Sequence, residues 1–138
     1  LLECPYFDLF PHEDTDVGEM RISFIPAVHP VEGSCISVEC DGARLVFTGD
    51  TNENPALELF CNGCDLLLAD AGLSSADWAR QKPHLSAEKC GALARDARAR
   101  GLLLTHLNPN YEPEALLREA QSAYPAARLA LAGERYRV

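Results

Sequence analysis

The chain has 138 residues, 47% of them hydrophobic, which suits one domain with a real core and excludes a disordered, charge-rich segment. Its formal net charge of −9 and pI near 4.8 exclude a basic face that grips nucleic acid by itself, although a phosphate held through metal ions stays open. No apolar run approaches the ~18 residues of a membrane helix, and no charged-then-apolar signal segment opens the chain, so a cytoplasmic protein without membrane attachment is expected.

In chain order, residues 1 to 20 form an acidic, turn-rich lead-in or edge segment, carrying Asp8, Glu13, Asp14, Asp16 and Glu19. Residues 21 to 138 form the folded unit. Arg21 to Val28 reads as a strand running into His29-Pro30. Cys35 to Cys40 alternates apolar and polar residues, and Ala43 to Thr48 is a second run. Asp41-Gly42 between them is a strong hairpin signal, because both turn positions need φ > 0. Pro55 to Phe60 predicts a short helix with proline in its first turn. Asp65 to Ala69 is a continuous apolar run, as expected of a strand buried on both faces.

Ser86 is a good N-cap, followed by a helix to about Arg100, with Leu93, Ala94 and Ala97 on one face and Gly101 as its stop. Leu102 to Thr105 predicts another buried strand. Pro113 opens a helix carrying Leu116, Leu117 and Ala120, with Pro125 beyond its end. Arg128 to Ala132 and Tyr136 to Val138 complete the expected strands. Three strands followed by alternating helix and strand give an α/β fold with a mixed sheet.

Six cysteines lie at positions 4, 35, 40, 61, 64 and 90, unevenly spaced in a chain too large to need disulfide staples. Free thiols in a reducing compartment are the preferred reading. Cys61-Asn-Gly-Cys64 has CxxC spacing, but a four-sulfur zinc site needs a second such pair, and the sequence has none.

The polar residues that follow the strands carry the functional signal. His29 follows the first strand, Asp50 the third, Asp70 the fourth and His106 the fifth. Ligands of α/β sheets bind beyond the carboxyl ends of strands. His84 sits just before a helix N-terminus, where polar chemistry also gathers. Taken singly, each residue is an ordinary turn or capping residue, and His12 in the lead-in carries no signal. Grouped, imidazole and carboxylate on rigid strand ends make a borderline-metal site, with nuclease and other hydrolase chemistry both open.

Four blocks in unbroken order over about residues 21 to 138 resemble the metallo-β-lactamase superfamily: AVHPVEGSCISVECDGARLVFTGDT, DLLLADAGLS, HLSAEKCGALARDA and LLLTHLNP. The branch they are most similar to is the tRNase Z-like and phosphodiesterase-like hydrolases. The resemblance implies that His29 and His106 are metal ligands and that Asp50, in the TGD block, bridges two metals. It gives His84, in the HLS block, a role in leaving-group departure, and sets Asp70 at an acidic position behind the ligands. It further implies two zinc ions, with manganese or iron as alternatives, sharing a carboxylate and a hydroxide that attacks a phosphodiester or related ester. The substrate would be a small molecule or of nucleotide type.

One departure is large. The superfamily hallmark HxHxDH is missing from the sequence, and His12 stands alone before Glu13 and Asp14. The chain therefore reads as the C-terminal half of an αββα sandwich, and its start at Leu1-Leu2-Glu3 suggests a fragment or processed product. A missing N-terminal half or a homodimer partner is expected to cover the inner sheet face, which is too apolar for a stable monomer. A catalytically inactive half serving as a binding or assembly module is the alternative.

Overall fold

A computed structural model describes residues 13–138, so Cys4 and His12 lie outside the described residues. Seven strands form one mixed sheet in sequential order: β1 (Thr15–Val17), β2 (Met20–Pro26), β3 (Ser34–Cys40), β4 (Ala43–Phe47), β5 (Leu66–Asp70), β6 (Leu102–Thr105) and β7 (Arg128–Leu129). The first four strands pair antiparallel and the last four parallel, with β4 common to both sets. Among the described residues three helices accompany the sheet: α1 (Leu57–Cys61), α2 (Ala87–Asp96) and α3 (Pro113–Ala123).

The hairpin predicted at Asp41-Gly42 forms with φ of 52° and 77° at its two central residues, joining β3 to β4. Part of the acidic lead-in becomes the edge strand β1, which pairs with β2 from Thr15↔Ile22 to Val17↔Met20. Its neighbour Asp14 accepts a hydrogen bond from the Phe24 N–H at 3.1 Å.

The sheet has two different faces. Cys35, Val46, Leu67, Ala69, Leu102 and Leu104 are fully buried and cluster with Leu57, Ala94, Leu116 and Ala120 from the helices. On the opposite face, register places Ile22, Val38, Leu45 and Leu66 in one row and Ile36, Phe47 and Leu68 in the next. These seven are only half-buried, although all are apolar. The period-two alternation of each strand thus loads both faces with hydrophobic side chains.

Two predicted ends differ. The second helix stops at Asp96 rather than near Arg100, because Arg98 takes the left-handed conformation at φ 54°. The Ala99 N–H then bonds the Ala94 carbonyl at 2.9 Å and the Arg98 N–H bonds that of Arg95 at 3.1 Å, a Schellman stop with arginine where glycine is usual. The predicted strand Tyr136 to Val138 does not form. Its tyrosine hydroxyl instead accepts from the Leu131 N–H at 2.9 Å and donates to the Leu129 carbonyl at 3.3 Å, turning the tail back along β7. Smaller offsets move the first helix to begin at Leu57, with Pro55 in the preceding turn, and carry β5 through Asp70.

Cys35, Cys40, Cys61, Cys64 and Cys90 are all free thiols. Cys61 and Cys64 lie in the core under the sheet, and burial pushes their thiols up to about 12 and about 11. Thiols held in the protonated form are poor metal ligands, so the CxxC spacing here serves packing. Iodoacetamide at neutral pH should therefore modify half-buried Cys40 before Cys35, Cys61, Cys64 or Cys90, as read by peptide mass mapping; earlier labelling of any of those four would contradict this core. Among the described residues no helix is long and apolar enough to cross a membrane.

Candidate metal centre

Strands β2, β4, β5 and β6 all run the same way, since β2 and β4 are each antiparallel to β3 and the later pairs are parallel. Their carboxyl ends consequently share one edge of the sheet. His29 lies three residues beyond β2, Asp50 three beyond β4, Asp70 at the last position of β5 and His106 immediately after β6. His84 arrives from the opposite direction, two residues ahead of Ser86, whose hydroxyl caps α2 by accepting from the Lys89 N–H at 3.3 Å.

Gly49 explains how β4 delivers Asp50. It holds φ at 59°, and a Cβ there would lie 2.7 Å from the Ser34 carbonyl oxygen. Only glycine fits this turn without strain. Beyond it, Thr51 and Asn52 fasten the loop to the end of β2. The Val28 N–H bonds the Thr51 hydroxyl and the Asn52 N–H bonds the Val28 carbonyl, both at 2.9 Å. The loops bearing His29 and Asp50 are thereby held side by side.

The donor atoms of His29, Asp50 and His84 all lie within 4.8 Å of one another, close enough to hold a metal ion. The His84 ring centre is 5.5 Å from that of His29 and 4.8 Å from that of His106. His106 reaches the group through Asp50, with its Nδ1 2.6 Å from Asp50 Oδ1. It also carries φ of 55°, a conformation non-glycine residues seldom adopt, at the point where β6 ends. His29, Asp50, His84 and His106, four of the five residues singled out in the sequence, thus meet at one place. The donor group within 4.8 Å contains His84 where the resemblance set His106.

Behind this cluster stands Asp70, fully buried. Its Oδ2 lies 2.7 Å from His84 Nδ1 and accepts the Thr51 N–H at 3.1 Å, while Oδ1 accepts the Gly72 N–H at 3.0 Å. Burial raises its carboxyl above the usual range, against the hydrogen bond and charge of His84, the Thr51 N–H and the nearby charge of His106. With Nδ1 engaged by the carboxylate, the Nε2 of His84 is its free end. A carboxylate behind an imidazole fixes the tautomer and the ring direction, an arrangement typical both of metal-binding histidines and of proton-transferring ones.

Sequence reasoning did not find Thr48, Asn52 or Trp78. Thr48 receives the Asp70 N–H on its hydroxyl at 2.9 Å, and the Trp78 indole donates to Asn52 Oδ1 at 2.8 Å. The only available signal was the polar run Thr51-Asn52 directly after the TGD block.

A model of the β-lactamase superfamily domain matches residues 4–107. Ribonuclease Z of Bradyrhizobium sp. (strain ORS 278) is 37% identical over 91 residues, which make up 64% of this chain and 30% of that protein. Ribonuclease Z of Streptomyces avermitilis is 32% identical over 126 residues, covering 89% of this chain and 41% of its relative. Among solved structures, the metallo-β-lactamase fold protein YhfI from Bacillus subtilis superposes with a TM-score of 0.85 at 24% identity, over 91% of this chain and 52% of that one. The short form of human tRNase Z gives a TM-score of 0.65 at 22% identity, over 84% and 42%. The chain spans less than half the length of these two ribonuclease Z proteins. On the family match and the fold together, the chain belongs to the metallo-β-lactamase superfamily and is similar to its ribonuclease Z members.

Proposed function

We propose that the chain supplies part of the active site of a metal-dependent phosphodiesterase acting on a nucleotide-type substrate. The observation that carries this reading is the meeting of His29, Asp50 and His84 donor atoms within 4.8 Å, with His106 bound to Asp50. Nitrogen and oxygen donors of this kind fit zinc, with manganese or iron as alternatives. Metal ions held there would supply positive charge opposite the phosphate and make hydroxide available near neutral pH. That charge also reconciles a net −9 protein with an anionic substrate.

In this reading His29, Asp50 and His106 would hold the metal, and His84, although its donor atom lies in the same group, would serve the substrate. Asp70 grips its Nδ1, so that a proton on Nε2 can pass to the departing oxygen, a step general acids accelerate by about 10²-fold or more. The similarity to ribonuclease Z proteins at above 30% identity supports a nucleic-acid-type diester over other esters. Free thiols favour a reducing, cytoplasmic setting.

The half-buried apolar face of Ile36, Val38, Leu45, Phe47 and Leu68 fits a second sheet packed against it. We assign that cover to an N-terminal half bearing HxHxDH or, failing that, to a second copy of the chain. The short span relative to the ribonuclease Z proteins also supports an alternative, in which the half-domain only binds or assembles. Elemental analysis together with hydrolysis of bis-p-nitrophenyl phosphate and of a ribodinucleotide separates the two. Bound metal with chelator-sensitive cleavage is expected. Absence of metal, with no activity after adding zinc or manganese, would establish the binding module.

A further inference from the structure

We propose that Asn52 is a positioning residue for His84, acting through the loop that leads into it; this deepens the reading above and rests on the leaving-group role of His84. Asn52 is 1% exposed, and its amide is fully engaged. The Nδ2 group donates to the carbonyls of Ala79 at 3.0 Å, Lys82 at 2.6 Å and, more distantly, Arg80 at 3.4 Å. Its Oδ1 accepts from the Trp78 indole at 2.8 Å and from the Glu53 N–H at 2.6 Å. One side chain therefore grips four residues of the segment 78–82 from the inside.

That segment has little else to hold its backbone. Its remaining backbone hydrogen bonds are short-range, from the Lys82 N–H to Ala79 and from the Trp78 N–H to Ser74. The preceding stretch is anchored separately, by Tyr111 donating to Asp77 at 2.7 Å and the Ser75 N–H donating to Glu119 at 2.8 Å. Outside the Asn52 cluster, Lys89 closes over the Trp78 ring at 3.8 Å and pairs with Glu53 at 2.6 Å. Directly after Lys82 come Pro83, whose ring fixes φ, and His84. A shift of the Lys82 carbonyl thus passes with little slack to His84 Nε2.

Asn52 is also tied to the metal-binding side, since its own N–H bonds the Val28 carbonyl next to His29 and Asp50 lies two residues before it. It therefore sets the distance between the proton donor and the metal ligands. Catalysis is sensitive to displacements of about 1 Å in such distances.

The test compares leaving groups in the intact, metal-loaded protein. An aryl oxide departs without a proton, whereas a ribose hydroxyl needs one. His84→Ala should lose about 10²-fold in kcat on a ribodinucleotide and far less on bis-p-nitrophenyl phosphate. Asn52→Asp, which turns a carboxylate oxygen toward the loop carbonyls, should lose about 10-fold or more on the dinucleotide with KM unchanged. It should show the same sparing of the aryl substrate, and it should add little to His84→Ala in the double variant. If Asn52→Asp does not fold, Trp78→Phe carries the test, because it keeps an aromatic ring under Lys89 while removing the indole N–H that Asn52 accepts. Equal losses on both substrates, or full additivity with His84→Ala, would reduce Asn52 to a structural role. A His84→Ala enzyme without leaving-group selectivity would instead overturn the role of His84, and the positioning role with it.

Discussion

Replacing Asp50 with alanine in the intact, metal-loaded protein should lower kcat/KM by about a thousandfold, or about 4 kcal/mol of transition-state stabilisation. In the proposed metal centre its carboxylate would be a ligand, and alanine leaves no oxygen in its place. Stability should respond in the opposite proportion. The Asp50 side chain is 42% exposed and its one ion pair among the described residues, to His106, lies at the surface. Such a pair contributes about 1 kcal/mol or less, so the apo-protein's Tm should barely move. Calorimetry beside kinetics reads the split directly, and metal content should fall with the activity. An Asp50→Ala protein within tenfold of wild-type activity would remove Asp50 from the metal centre.

That separation of activity from stability follows from how the site is built, and it bears on what the sequence made readable. The strands were legible because the apolar runs at 66–69 and 102–104 are continuous, and the Asp41-Gly42 turn because its chemistry is local. The shared edge of the site was legible because strand direction follows from the order of elements. Four side chains at strand and helix ends then had to converge. What could not be read was rotation and depth. Asp70 sits inside the strand with no exposure, and nothing in DLLLADA distinguishes it from a turn residue just outside. Which of His84 and His106 turns its ring toward His29 depends on Asp70 and on loop 78–82, contacts made across tens of residues. The Arg98 stop was missed because its residue type carries no turn signal. Its left-handed φ is sustained by the two Schellman hydrogen bonds around it.

Gly91→Ala should destabilise the protein by about 3 kcal/mol, seen as a fall in Tm of about 10 °C. Intrinsic propensity predicts the reverse, because glycine inside a helix costs about 1 kcal/mol relative to alanine. Packing decides the sign. Gly91 lies on the buried side of α2, and a Cβ there would be driven into the backbone of α3, against the Ala120 carbonyl oxygen, with the carbonyl carbon at 3.0 Å and Cα at 3.1 Å. Backbone cannot rotate aside as a side chain can, so α2 and α3 must separate. Their separation opens the core around Ala94, Leu116 and Ala120, all fully buried. It would also carry the N-terminus of α2, with Ser86 and the adjacent His84, away from Asp70. Activity on a ribodinucleotide should therefore drop along with stability. Ala92→Gly, one residue along on the half-buried side, supplies the control and should cost only the propensity difference of about 1 kcal/mol. An unchanged or raised Tm in Gly91→Ala would mean that the two helices can part without loss, and that their close approach does not hold the histidine edge of the site.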